Sequence, residues 1–500
     1  MVTVVNDGEI GYEEEMLELF NGKQKETHKD VLINPEMSEK KRKQVVGLLE
    51  EYSDIFSDVP GKTNLAEHEI KLTSDKPVRS KPYPTPYNLQ KEINKEIDTM
   101  LESGIIERSD SAYAAPLLVV KKADGSNRIC CNYKQLNKLT IFDPEPMMSK
   151  EDVFNKLSGS QLYSKFDFCK GYWQIPMKDE CKDMTTFVCN RGLFRFTVMP
   201  FGLVNSASSY NRMMRKLIDG IQQLESYVDD VLAHTQSWED HLEVLGQFFE
   251  RVRRANLTLK PKKCQIGFSS VDFLGHTVSN NRISPKEEAV EKIVELPRPK
   301  TKKQIRSFLG AINYYRDFIP ECGKITQPLT ELTKKNAKNV VDWNPKLEKA
   351  FQELKCALSK EPVLKLPNMV EEFILRTDAS DTAVGCVLMQ EEDGVKHPVS
   401  YISRKLSDRE RKYSVEEREC LAIVWGIQKL NRIQKLNRYL YGRTFNVETD
   451  HCGLQYLKTG KVRNPRVMRW NLAMQNYSFR IKYIRGEENA MADYLSRAIE

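Results

Sequence analysis

Long apolar runs are missing from this 500-residue chain, and no stretch approaches the length needed to cross a bilayer. The acidic N-terminus also lacks the apolar segment of a secretory signal. Paired-cysteine spacing is absent: the eleven cysteines show no C-x-x-C, and adjacent Cys130-Cys131 suits neither a bridge nor a zinc knuckle. Free thiols in a reducing, intracellular setting are expected. No Asp-Thr-Gly or Asp-Ser-Gly triplet occurs, which excludes an aspartic-protease site. What is present is 40% hydrophobic and 29% charged residues, a soluble globular composition. Its length exceeds one ordinary core, so several domains are expected.

Charge is unevenly spread. Net charge is +7, but residues 1–60 hold 14 acids and 7 bases, which leaves +14 on the remainder. Arg251 to Cys264 carries six bases and no acid, and Lys461 to Arg485 seven bases and no acid among Trp470, Tyr477, Phe479 and Tyr483. Bases neutralise phosphates and aromatics stack on bases, so a polyanion partner is the functional reading. Solvated surface is the plain alternative.

Hydrophobic spacing predicts a helix over Ser38 to Ile55 and an amphipathic one over Leu89 to Leu101, after a Pro/Lys-rich lead-in at Lys76 to Tyr87. Pro116 to Val120 and Arg128 to Asn132 flank the turn residues Asp124-Gly125 and read as a hairpin. From Gln161 the pattern alternates strand and helix, turns helical after Phe273 to about residue 340, and restarts an αβ unit at Phe373. The hexapeptide Ile427 to Arg432 is repeated directly as Ile433 to Arg438. It is too short for a repeat fold and reads as a local duplication.

Two sets of acids carry the chemistry. Tyr227-Val228-Asp229-Asp230 lies in the apolar stretch Leu224 to Ala233, an acidic tip on a β-hairpin. Asp amid strand sequence needs compensation, and divalent magnesium is the natural source. Asp167 ends a strand 62 residues earlier. Two such acids can hold two metal ions for in-line phosphoryl transfer; capping a helix is the alternative for Asp167. The second set is Asp378 after Phe373 to Thr377, Glu419 on an amphipathic helix, Asp450 after Phe445 to Thr449, and Asp493 near the C-terminus. Four convergent carboxylates can hold two metals that hydrolyse a phosphodiester.

Together these residues are recognisable. Phe166-Asp167, Gly171 to Ile175, Val198 to Leu203 and Tyr227 to Asp230 resemble, in order and spacing, the reverse transcriptases of gypsy-type long-terminal-repeat retrotransposon polyproteins. So do Gly104 to Ile106, Val119 to Lys122, Asp124 to Ser126, Tyr133, Leu136-Asn137, Phe273 to His276, Ser307 to Gly310 and Asn313 to Arg316. Thr377 to Ser380, Thr449 to His451 and Ala492 to Arg497 resemble the attached ribonuclease H domain. The likeness runs from residue 76 to 497. Departures at Phe166, Ser206-Ala207, Asn132 and Lys134 remove no metal ligand.

The resemblance implies an α/β and α+β multidomain fold: right-hand fingers, palm and thumb, then a ribonuclease H-like mixed-sheet domain. It implies an acidic extension at 1–75, fingers and palm at 76–275, a thumb or connecting helical region at 276–345 and the nuclease at 346–500. Asp167, Asp229 and Asp230 would be catalytic and metal-ligating, as would Asp378, Glu419, Asp450 and Asp493. Glu416 and Glu417 are near alternatives to Glu419. Tyr172 would exclude a ribose 2′-OH, Lys122 and Arg128 grip the triphosphate, and Phe201 and Gly202 floor the pocket. Asn205 would help orient the nucleotide, and Lys263 donate a proton to pyrophosphate. Phe273, Leu274, Gly275 and His276 would hold the primer.

The implied function is an RNA-directed DNA polymerase with ribonuclease H activity and two Mg2+ per site, manganese being the alternative. Its partners would be RNA template, primer, RNA/DNA hybrid, deoxynucleoside triphosphates and a second copy of itself, with no membrane. Its location would be a cytoplasmic virus-like particle with a nuclear phase. A polymerase whose nuclease is disabled by the repeat, or a non-catalytic nucleic-acid-binding remnant, are the competing readings.

Overall fold

The computed structural model describes residues 26–83, 87–121, 127–320, 322–360, 362–432, 437–456 and 464–485. They divide into two compact units, one drawn from residues 1–148 and 161–269, the other from 149–160 and 270–500.

The first unit is built around a five-stranded sheet, the palm. Its order is Leu32–Ile33, Gln265–Phe268, Leu162–Asp167, Asp230–Thr235, Leu224–Tyr227. The central strand is closed in on both faces, with Tyr163, Ser164 and Phe166 all buried. Behind it lies helix Trp238–Arg254. Ser237 caps that helix by accepting from Asp240 N, and Arg251, Arg253 and Arg254 fill the last turn, where they suit the dipole. Phe248 and Phe249 of this helix meet Phe166 at 5.1 and 5.5 Å between ring centroids. Asp167 is therefore the first polar step beyond a fixed aromatic anchor.

Residues 26–75 differ from the expected extension. Leu32–Ile33 is a parallel edge strand of the palm sheet, and helix Glu39–Glu51 buries Val45 and Leu49. Tyr52 and Phe56 then reach Phe249 at 5.8 and 5.4 Å. A two-residue strand and a charge-rich helix hide this role from a periodicity reading.

A second five-stranded sheet in the same unit has the order Ile106–Arg108, Gly192–Phe196, Phe187–Cys189, Ala115–Lys121, Asn127–Cys131. It forms the fingers. Helix Tyr87–Glu102 buries Ile93, Ile97 and Met100 in a cluster with Phe187, Phe194 and Phe196 of this sheet.

In the second unit the stretch after Phe273 is not purely helical. Strands Ser270–Phe273, His276–Ser279, Arg282–Pro285 and Leu364–Lys365 form a four-stranded sheet in that order. Leu274-Gly275 and Asn280-Asn281 make its tight turns, all four residues at positive φ (48°, 70°, 45° and 61°). The Asn-Asn pair was a legible turn signal. Helices follow, among them Glu287–Val294, Lys302–Tyr314 and Pro345–Ser359.

The last layer is a mixed sheet ordered Val395–Lys405, Ala383–Glu392, Phe373–Ala379, Thr444–Thr449, Ser478–Tyr483. Its first three strands are antiparallel and its last two join in parallel. Helix Val415–Arg432 packs on this sheet through Cys420, Ile423, Val424 and Ile427, against Leu375, Cys386 and Val447.

Candidate active sites

In the palm, strand register decides the site. Asp167 stands directly opposite Asp230, and Tyr227 closes the hairpin against Asp230. Val228 and Asp229 are thus the two-residue tip. Val228 has φ of 52°, a left-handed conformation that costs a β-branched residue about 1–2 kcal/mol. The tip sets Asp229 beside the Asp167–Asp230 pair, so three carboxyls share one end of the sheet. Like charges facing across strands destabilise, and two lysines offset them. Lys165 Nζ lies 3.0 Å from Asp230 Oδ1, and Lys263 Nζ lies 3.7 Å from Asp167 Oδ2.

The chain beyond Asp167 is pinned rather than loose. Lys260 N donates to Asp167 O at 2.9 Å and Cys169 N to Thr258 O at 3.0 Å. Gln174 is fully buried: its Nε2 donates to Cys169 O (2.7 Å) and Thr258 O (2.9 Å), and its Oε1 accepts from Thr258 N (2.8 Å). Between these anchors Gly171–Gln174 forms a 3-10 turn, where a helix was expected. Tyr172 on that turn is buried and stacks on Phe201 at 5.2 Å and 20°. A Cβ at Gly171 would lie 2.8 Å from Tyr210 Oη, so only glycine fits beneath the stack.

Gly202, at φ 90°, is held by a side-chain clasp. Asn137 Nδ2 donates to Gly202 O at 2.8 Å and Asn137 Oδ1 accepts from Val204 N at 3.0 Å. Asn205 returns the contact: its Nδ2 donates to Ile141 O (2.8 Å) and its Oδ1 accepts from Asp143 N (3.1 Å). The side chain expected to orient a nucleotide is thus engaged in bracing a loop.

The second site is tighter. Asp378 ends a sheet strand, Glu419 comes from the helix on that sheet, and Asp450 follows the neighbouring parallel strand. One carboxyl oxygen from each lies within 4.8 Å of the others. Asp378 and Glu419 are buried. Glu419 Oε1 accepts from Ala379 N at 3.2 Å, while its buried Oε2 receives no hydrogen bond among the described residues. Burial, then the charges of Asp378 and Asp450, push the Glu419 carboxyl up to about 9. A buried acid group with an orphaned oxygen and two acidic neighbours fits a hard cation. Among the described residues this is the one such group; Asp167, Asp229 and Asp230 are not drawn as close together.

Residues 120–278 match the profile of the reverse transcriptase (RNA-dependent DNA polymerase) family, and residues 368–477 that of the RNase H-like domain found in reverse transcriptase. The chain is 36% identical over 444 residues to the retrovirus-related Pol polyprotein from transposon 297 of Drosophila melanogaster, covering 87% of this chain and 41% of that one. Over 464 residues it is 32% identical to the Tf2-3 transposon polyprotein of Schizosaccharomyces pombe, covering 89% and 34%. Residues 120–278 belong to the reverse transcriptase family and residues 368–477 to its RNase H-like domain family. The gypsy-type resemblance agrees with these relatives. The chain spans about two-fifths or less of their length. In fold it is similar to the foamy viral protease-reverse transcriptase solved in complex with double-stranded DNA, with TM-score 0.81 and 21% identity over 90% of this chain and 95% of that one.

Several expected residues take definite places. Arg128 lies on the fingers strand, its backbone opposite Val120. Its side chain, Lys122 and Asp493 lie outside the described residues. Phe273 and His276 are buried, with His276 packed at 5.1–5.5 Å among Phe154, Tyr314, Tyr315 and Phe318. Only the Leu274-Gly275 turn between them is open to solvent. The choice among three glutamates falls to Glu419, since Glu416 is exposed and Glu417 accepts from Asn464 (2.9 Å) and Arg466 (2.8 Å). Lys165, Gln174 and Asn137 were missed as site residues. Lys165 had a signal: it precedes Asp167 by two and shares its strand face.

Proposed function

We propose that the chain is an RNA-directed DNA polymerase with ribonuclease H activity, copying element RNA from a primer and degrading the RNA strand of the hybrid. One observation carries the reading: two separate acidic centres on separate units, one at the palm hairpin and one on the mixed sheet. Asp167 and Asp229, with Asp230 beside them, would hold divalent cations at the first. Asp378, Glu419 and Asp450 would do so at the second, with Asp493 as a fourth ligand. Oxygen-only donor sets favour magnesium, with manganese as the alternative. When bound, the ions would polarise phosphoryl oxygens and lower the pKa of the attacking group.

The chain's own residues do the rest. Tyr172, rigid against Phe201, walls the sugar side and rejects a 2′-OH by steric clash. Phe201 and Gly202 floor the nucleotide pocket, the latter fixed by Asn137. Lys263, already near Asp167, is the proton donor to the leaving pyrophosphate. Lys122 and Arg128 grip the triphosphate from the fingers. Nucleic acid is held by the basic body. The protein acts in a cytoplasmic virus-like particle with a nuclear phase, alone or as a dimer.

A primed RNA template with deoxynucleotides and magnesium tests this directly: the primer should extend and the hybrid's RNA be cut. Asp229→Asn should abolish extension and spare cleavage, and Asp450→Asn the reverse. Loss of both activities from either change in a folded protein would defeat the two-centre reading.

A further inference from the structure

Strands Ser270–Phe273 and His276–Ser279 pair so that Leu274 and Gly275 alone form the tip of their hairpin. The Leu274 carbonyl lies outside the ladder and needs another donor, whereas the Gly275 carbonyl accepts from Lys286 N at 3.2 Å and has a second lone pair to fill. Both find one forty residues further on. Tyr314 Oη donates to Leu274 O at 2.7 Å, and Tyr315 Oη donates to Gly275 O at 2.9 Å. His276 Nδ1 donates to the same Leu274 carbonyl at 2.7 Å. A carbonyl only accepts, which fixes the ring proton on Nδ1.

The tyrosines are themselves held. Tyr315 is buried and edge-on to Tyr314 at 5.0 Å. Tyr314 is 43% exposed, and an exposed ring would ordinarily give up a lone hydrogen bond to rotamer freedom. Lys150 prevents that. Its Nζ sits 3.9 Å from the Tyr314 ring centroid and donates to Tyr314 O at 3.2 Å. Gly275 completes the fit: a Cβ there would come within 3.3 Å of the Tyr314 ring. Two adjacent hydroxyls on adjacent turn carbonyls, with a lysine bracing the exposed one, exceed what a surface hairpin needs for stability.

We propose that Tyr314 and Tyr315 are positioning residues that fix the Leu274-Gly275 turn and thereby set the affinity for the primer terminus. This deepens the polymerase reading and rests on that turn being where the primer is held. Neither tyrosine touches the reacting atoms.

The test uses the full chain with Tyr314→Phe, Tyr315→Phe, the double change, Lys150→Met and Leu274→Ala. Each is assayed for primer-template KM, kcat at saturating primer-template, and melting temperature. Each Tyr→Phe change should raise KM about fivefold, the value of one hydrogen bond, with kcat within about twofold and melting lowered by about 2 °C or less. Lys150→Met should reproduce Tyr314→Phe and add nothing to it. Leu274→Ala should raise KM on its own. A normal KM in the double variant, with a raised KM in Leu274→Ala, overturns the positioning role and leaves the primer reading standing. A normal KM in Leu274→Ala as well overturns both. A fall in kcat and melting together, without a KM rise, reduces the tyrosines to structural props and also overturns the proposal.

Discussion

Replacing Glu419 by Gln should change how many protons leave the protein when it binds a divalent cation. Asp378, Glu419 and Asp450 hold oxygens within 4.8 Å of one another. At that distance and an effective dielectric of about 20, each ionised pair costs about 3.5 kcal/mol. Glu419 faces two such neighbours, and burial, the largest cause, acts in the same direction. That agrees with a carboxyl driven from 4.5 up to about 9 by burial and those two charges. At pH 7 the cation-free Glu419 carboxyl therefore carries a proton, and a cation must expel it. Calorimetric titration in buffers of different ionisation enthalpy should count about one more proton released by the parent than by Glu419→Gln. The parent's affinity should rise about tenfold per pH unit between pH 6 and 8 and level off above 9. Melting in EDTA should follow the opposite sign. The folded state keeps a proton that the unfolded chain loses above 4.5, so that stability is full below 4.5 and is lost as pH rises through 9. Equal proton counts for parent and variant, or a cation affinity flat across this range, would refute the coupling.

Other expectations are simpler. Gln174→Ala strands Cys169 O and Thr258 N and leaves Thr258 O with Cys169 N as its donor, and it should cost about 2–4 kcal/mol of palm stability in chemical denaturation, with extension lost before hybrid cleavage. Tyr172→Ala should admit ribonucleotides; unchanged sugar selection in primer extension would remove it as the gate. His68, His241 and His276 are each held down to about 4 by burial. Their contribution is present above 6.5 and lost as pH falls through 4, so acid unfolding should take up as many as three protons.

The sequence disclosed the acids better than their supports. Tyr227 to Asp230 read as a charged hairpin tip because two apolar flanks left no other place for adjacent carboxylates, and the strand pairs agree. Phe373 to Ser380, Val415 to Leu430 and Phe445 to His451 read as strand, helix and strand because apolar spacing there is strong, and the elements fall at Phe373–Ala379, Val415–Arg432 and Thr444–Thr449. Supports were opaque wherever they depend on contacts distant in sequence. Gln174 holds Thr258 across 84 residues, and Asn137 holds Gly202 across 65. Spacing carries no trace of such partners. The two-residue edge strand Leu32–Ile33 has no periodicity to detect, and its existence depends on Gln265 and Ile266. Positive φ at Val228 was equally hidden, since nothing local predicts a β-branched residue there. The strain is tolerated because the palm strands on either side are fully paired.

The repeated hexapeptide raised the expectation of a damaged nuclease, and its position argues against that outcome. Glu419 precedes the first copy by a full two turns of the same helix. Its neighbours Cys420, Ile423 and Val424 are buried, and Ile427, the first residue of the repeat, still takes the next inward position. Glu419 therefore receives its bearing from residues upstream of any duplication. Downstream, Tyr439 and Leu440 are buried again, with Tyr439 5.5 Å from Phe373 and its Oη 2.6 Å from Asn155 Oδ1. The helix that carries Glu419 is thus fixed upstream of the repeat, and the chain is anchored again at Tyr439 beyond it. Deleting Ile433 to Arg438 should thus leave hybrid cleavage within about threefold, an effect under about 0.6 kcal/mol. A tenfold change in either direction would show that the duplication bears on the centre after all, and the disabled-nuclease reading would regain its force.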